Sequence, residues 1–273
     1  MNVPAAALRK LGYGVTSIVV MVGDLAPADP FCEPDGLARV ALVQQRVESN
    51  LAEVGPDGPT TLELIDGELA ALRKRDTQVQ SDSPTIAYYR AYWVAYLLYH
   101  KAVGLMQSDR FESGREPLRE AVSLLEGIEP RDHEVLALLG LAGGLHLAYV
   151  PRHRILAATE MVNGYLSEAL RAAPTNVRVL YANAIADFNT PAVYGGRKRV
   201  EKLLTNALDS PDHPPVGVTP NWGRREASVL LIRFLLDEDR LGEARALVDR
   251  ALVRWPGSWE HRVFLANLIG EGR

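Results

Sequence analysis

The sequence predicts an all-α chain built as an array of antiparallel helix hairpins. Three observations carry that expectation. From Asp35 onward, apolar residues recur at the three- and four-residue spacing of one helix face. No stretch alternates polar and apolar residues with the two-residue period of a half-buried strand. A spacing of small residues that ends in proline also returns in four places along the chain.

Composition sets the bounds. The chain has 273 residues, of which 47% are apolar and 23% charged, with a formal net charge of −4. Those values exclude wholesale disorder. At roughly 150 residues per domain, one or two domains fit. Mild acidity argues against a general binder of nucleic acid or anionic membranes, because neutralising phosphates takes concentrated Lys and Arg. Cys32 is the single cysteine, so there is no intramolecular disulfide and no multi-cysteine metal cage.

The elements follow in order. Arg9 and Lys10 precede an apolar stretch from Tyr13 to Val22, and Ala26-Pro27-Ala28 follows. A basic start, a short apolar middle and an Ala-x-Ala end have the form of a secretory signal peptide cut after Ala28. The rival readings are a short buried strand or helix, or a stretch added by a wrongly assigned start codon, so a periplasmic and a cytoplasmic location both stay open. The stretch is shorter than the roughly 20 apolar residues that span a membrane. We therefore expect a leader over 1–28, a single helical-repeat domain over 33–273 and no integral membrane segment.

Leu37, Val40, Ala41, Val47, Leu51 and Val54 form one helical stripe, and Leu62, Leu64, Ile65, Leu69 and Leu72 a second. The breaker cluster Gly55-Pro56-Asp57-Gly58-Pro59 separates them, with Thr60-Thr61 as the expected cap. Ser81-Asp82-Ser83-Pro84 opens a helix running to about Met106. Further stripes cover 111–126, 132–149, 154–172, 176–188, 196–208, 223–237, 241–254 and 259–269. Within them, Val135 to Val150 is apolar all round and holds Gly140, Gly143 and Gly144. That pattern predicts a core helix approached closely by a neighbour. Most connections are short, which favours antiparallel neighbours. The exception, Asp209 to Asn221, carries Pro211, Pro214, Pro215 and Pro220 and reads as a loop within one continuous array.

The repeat is the most specific signal. Ala244, Ala251 and Pro256 are seven and then five residues apart, and Val162, Ala169 and Pro174 repeat that spacing. Val200, Ala207 and Pro211 end one residue early, and Gly114, Ala121 and Pro130 end late. Small residues two helical turns apart mark a face crossed closely by another helix, and the proline then stops the helix.

At these residues the chain resembles the tetratricopeptide-repeat (TPR) family. The resemblance covers roughly residues 85–270 and implies helix pairs stacked into a right-handed superhelical array, a TPR-like α-solenoid. The Ala121, Ala169, Ala207 and Ala251 intervals of 48, 38 and 44 residues exceed the ~34 of regular arrays. The aromatic and glycine signature of each first helix is missing or degenerate. FNTPAVYGG (188–196) and NWG (221–223) further resemble divergent exported bacterial TPR proteins. What the resemblance implies is a binding or assembly partner; it brings no catalytic motif.

Catalytic and cofactor signatures do not occur: there is no GxGxxG, GxxxxGK, GxSxG or HExxH. Asp132-His133-Glu134 reads as a helix start favoured by the dipole. His146 and His153 are separated by Pro151, so no single helix face presents both. His100, His213 and His261 read as ordinary surface or packed residues, and Cys32 as inert. Gly195-Gly196 before Arg197-Lys198-Arg199 could hold an anion at a helix start. The alternative is a widened inter-helix loop with a solvated basic face.

The densest feature is an aromatic helix, with Tyr88, Tyr89, Tyr92, Trp93, Tyr96 and Tyr99 close together. Buried hydroxyls need partners, so such a cluster is unusual for a core. If the first helix of each pair lines a concave surface, these residues, extended by Tyr181 and Asn189, would line a binding groove. Asn183 is left out, because two residues of helix turn it roughly 200° from Tyr181. Packing beneath neighbouring helices is the competing expectation. The functional expectation is a non-enzymatic scaffold that binds a protein or peptide in the concave face, with no cofactor, metal or nucleic acid. A second is an exported accessory protein of an envelope transport system, holding a small apolar ligand in an enclosed pocket. A third, an enzyme on a helical-repeat scaffold, would need converging acid, base or metal groups.

Overall fold

The computed structural model describes residues 59–73, 84–108, 110–211 and 218–270. The expected leader, the stripe over 37–54, Cys32 and His213 lie outside the described residues.

Ten α-helices account for most of the described chain: α1 (Pro59–Arg73), α2 (Pro84–Gln107), α3 (Arg115–Glu126), α4 (His133–His146) and α5 (Ile155–Ala172), then α6 (Val177–Asn189), α7 (Val200–Asp209), α8 (Arg224–Asp237), α9 (Leu241–Arg254) and α10 (Trp259–Gly270). No described residue is in a strand. Predicted boundaries agree to within a few residues. The main difference is that 111–126 and 147–154 contain short 3-10 turns, Phe111–Gly114, Leu147–Tyr149 and Arg152–Arg154, at the hairpin bends.

Pairing follows chain order. Helices α2 and α3, α4 and α5, α6 and α7, and α8 and α9 pack as hairpins, and each second helix packs on the first helix of the next pair. The first helices α4, α6 and α8 also pack side by side, while α1 and α10 cover the two ends. The result is the expected all-α solenoid. Two groups of buried residues share Leu170, Tyr181 and Ile185 at their border, so the apolar interior runs on through the array.

The repeated small residues sit where that architecture needs them. Ala121, Ala169, Ala207 and Ala251 are all buried, as are Val162, Val200 and Ala244 at the first position of the spacing. Repeats two and four end alike: Ala173 N–H donates to Ala169 O at 2.9 Å and Trp255 N–H to Ala251 O at 2.7 Å, each one residue before a proline. Gly140 explains the apolar helix. A methyl group there would collide with Leu166 Cδ2, so α4 and α5 approach closely only with glycine at that position. Asp132 caps α4, its carboxylate accepting from Glu134 N and Val135 N, both at 3.0 Å. Asn176 does the same for α6 through Arg178 N and Val179 N.

Candidate functional site

The aromatic helix α2 lies against a segment of the chain from far along the sequence. Tyr92 and Trp93 are 0% exposed and Tyr96 is 2% exposed, and they are covered by Trp222, itself 5% exposed. Trp222 belongs to the end of the proline-rich loop before α8. Its Nε1 donates to Tyr92 Oη at 3.0 Å, and Trp93 Nε1 donates to Val218 O at 3.1 Å. The Trp222 ring lies 5.3 Å from Tyr96 and 6.3 Å from Tyr181, the latter edge-on. Arg178 Nη1 reaches Trp222 O at 3.4 Å. This is how the buried indoles and the Tyr92 hydroxyl are satisfied.

The residues expected to line a groove are therefore distributed unevenly. Tyr92, Trp93, Tyr96 and Tyr99 are buried, while Tyr88, Tyr89 and Tyr181 are half-buried at the rim. Tyr88 donates to Asp132 Oδ2 at 2.7 Å, and its ring meets Tyr89 edge-on at 5.0 Å. Burial and that hydrogen bond push the Tyr88 hydroxyl well above its usual range. Trp222 joins Tyr181 to the α2 cluster. Asn189 is not brought to it: it is exposed at the end of α6, about 12 Å along the axis from Tyr181. Asn183, left out of the lining, is buried and donates to Leu166 O and Val179 O.

Two polar clusters border this face, and sequence spacing alone revealed neither. In the first, Arg178 pairs with Glu134 through Nε at 2.6 Å and Nη2 at 2.7 Å, and Asn176 Nδ2 adds a third bond at 2.7 Å. Glu134, expected only to favour a helix dipole, thus links the second hairpin to the third. In the second, Arg225 bridges Glu226 and Glu260 while Glu226 accepts the Gly223 N–H at 2.8 Å. Burial pushes the Glu226 carboxyl up, but Arg225 and the Gly223 N–H outweigh it and hold the carboxyl below its usual range. His100 stacks edge-on against Tyr96 and Tyr99, and burial lowers its ring to about 4.

Ser228 Oγ lies 3.1 Å from His261 Nε2, whose Nδ1 lies 2.6 Å from Ser258 Oγ. The arrangement looks like a nucleophile and base, but Ser228, Ser258 and His261 are sealed between α8 and α10, leaving a substrate no approach. His261 is a packed histidine. No group of three or more His, Cys, Asp or Glu among the described residues could hold a metal ion. No described helix is long and apolar enough to cross a membrane. A cleft of about 390 Å³ lies on the opposite side of α2, between α1 and α3. It is lined by charged residues that pair across it, Arg73 with Glu120 and Lys101 with Asp66.

At Gly195-Gly196 the widened loop is realised. Gly195 has φ +85°, and a methyl group on Gly196 would collide with the Thr190 carbonyl. Arg199 following them pairs with Asp187, and Arg197 with Asp237 and Glu238.

No family model and no curated protein matches the chain. Among solved structures it is similar to a thermophilic TPR protein of Thermus thermophilus, at 19% identity and a TM-score of 0.49, over 86% of this chain and 98% of that one. The pairing of helices described above is what defines the architecture. The fold is an all-α array of stacked helix hairpins.

Proposed function

We propose that this chain is a non-enzymatic scaffold whose concave face, formed by α2, α4 and α6, binds a non-helical peptide segment of a protein partner. One observation carries the reading: the face already holds such a segment, Val218 to Trp222, of the chain itself. It is held by an indole-to-carbonyl bond, an indole-to-phenol bond and aromatic stacking, which are the contacts that dominate protein interfaces. Tyr88, Tyr89 and Tyr181 border the occupied site and extend the same chemistry beyond it. A partner segment carrying an aromatic side chain fits this face, using the rim tyrosines beside Trp222 or taking its place.

The test vacates the site. Trp222→Gly is made in the full chain, and a fluorescent peptide with the sequence of residues 216–224 is titrated by anisotropy. Saturable binding to the folded variant, and much weaker binding to the wild-type chain, supports a peptide-holding face. A folded variant that binds the peptide no better than the wild type contradicts it.

A further inference from the structure

We propose that one edge of the array, formed by the loops that follow α4 and α6, docks on an anionic lipid surface. The proposal is independent of the concave face.

The two loops are built alike. Pro151 (φ −58°, ψ 143°) and Pro191 (φ −59°, ψ 142°) each start a three-residue 3-10 turn. In each, the third residue returns its N–H to the proline carbonyl at 2.9 Å, from Arg154 and from Tyr194. Because α4 and α6 pack side by side as equivalent first helices, both loops emerge along the same edge of the array.

Both regions expose large apolar side chains. Val193 is 84% exposed, and Tyr194 and Leu156 are each 70% exposed. Leu156 lies in the first turn of α5, just after the first loop, and Val193 and Tyr194 form the second; large apolar side chains exposed together mark a contact with a protein or a membrane. The second tip is held firmly: Gly195 N–H donates to Ala192 O at 2.9 Å, Gly196 N–H to Pro191 O at 3.3 Å and Arg197 N–H to Asp187 O at 2.9 Å. These bonds fix the loop while leaving Val193 and Tyr194 projecting.

Charge decides the partner. Residues 147–156 and 190–199 hold five Arg and Lys and no Asp or Glu, although the whole chain carries −4; Arg197 and Arg199 are held by Asp237, Glu238 and Asp187, so the charge this edge presents rests on Arg154 and Lys198. Arg154 and Lys198 are exposed beside the apolar tips, with His153 next to Arg154. Aliphatic tips that enter the headgroup boundary, a tyrosine that sits at it and basic residues that stay in the aqueous layer match a peripheral lipid contact. Tyr194 alone offers a nucleic-acid base a flat stacking face, whereas Val193 and Leu156 offer none, so a lipid surface fits this edge better than a nucleic acid.

The experiment is flotation of the full chain with vesicles of phosphatidylcholine alone or with about one third phosphatidylglycerol. The expected result is binding to the anionic vesicles, stripped by high salt, with little binding to the neutral ones. The Val193→Ser/Tyr194→Ser and Arg154→Glu/Lys198→Glu variants should each lower the bound fraction at least about fivefold, which is roughly 1 kcal/mol. All four residues are exposed, so the fold is retained, and a thermal melt checks it. Wild type and variants share the apolar stretch 13–22, so the difference between them reads this edge alone. Variants that float like the wild type overturn the proposal. So does a wild-type chain that prefers no anionic vesicle yet loses binding to single-stranded DNA on charge reversal.

Discussion

Trp222 donates its indole N–H to the hydroxyl of Tyr92, 130 residues earlier in the chain, at 3.0 Å inside the core. A solenoid repeat ordinarily touches only its neighbours, and stability then spreads from unit to unit. Here the loop before the fourth hairpin is tied back to the first helix of the first, across the Tyr181 ring of the third. That tie joins the first hairpin to the third and fourth through contacts that neighbouring repeats alone do not make.

Trp222→Ala should destabilise the chain by about 3–5 kcal/mol, the range for deleting a large buried aromatic. The loss should fall on cooperativity too. Hydrogen exchange should show the amides of α2 opening below the global unfolding energy in the variant and together with it in the wild type.

Glu134→Gln should cost about 3 kcal/mol in a urea melt, because Arg178 keeps its charge in a mostly buried site after losing its partner. Replacing both partners together by apolar residues of similar volume should cost less than the single change.

Gly140→Val should cost about 1–3 kcal/mol through overpacking against Leu166. Adding Leu166→Ala should recover part of that loss, so the double variant is more stable than the sum of the two single losses requires.

Acid should weaken the fold through its buried imidazoles. Burial lowers the rings of His100 and His261 to about 4, with Arg225 helping in both and Glu226 opposing. In the unfolded chain the same rings take up protons as pH falls below about 6.5. Their stabilisation is therefore complete above 6.5 and is lost as pH falls toward 4. Between pH 6.5 and 5 stability should therefore fall, as the unfolded chain takes up protons that the packed rings do not. Glu260 acts in the opposite sense, since burial raises its carboxyl against the pull of Arg225. The comparison with His261→Gln is thus the readout: unfolding midpoints from pH 7 to 5 should slope less steeply in the variant. Equal slopes would refute the assignment.

Much of the architecture was legible in the sequence because it is periodic. The apolar stripes placed the helices, Ala169 and Ala251 with their prolines marked equivalent units, and the glycines of α4 announced a close crossing. The candidate face was only half legible. Tyr92, Trp93 and Tyr96 stood out by density, and an aromatic-rich helix looks the same whether it faces a groove or a covering segment. The cover, Val218 and Trp222, sits in a proline-rich loop with no period to read. A lone tryptophan there was the available sign, since so large an apolar ring seeks burial. Glu134 with Arg178 and Ser228 with His261 are far apart in the chain, so only the packing of hairpins brings them together.

The central claim is that α2 holds the Val218–Trp222 segment through a specific contact. A double-mutant cycle with Tyr92→Phe and Trp222→Phe, read by urea unfolding, tests it most directly. The structure predicts coupling between the two changes of about 0.5–3 kcal/mol. Additivity within about 0.3–0.5 kcal/mol, the behaviour of residues that do not touch, would contradict it.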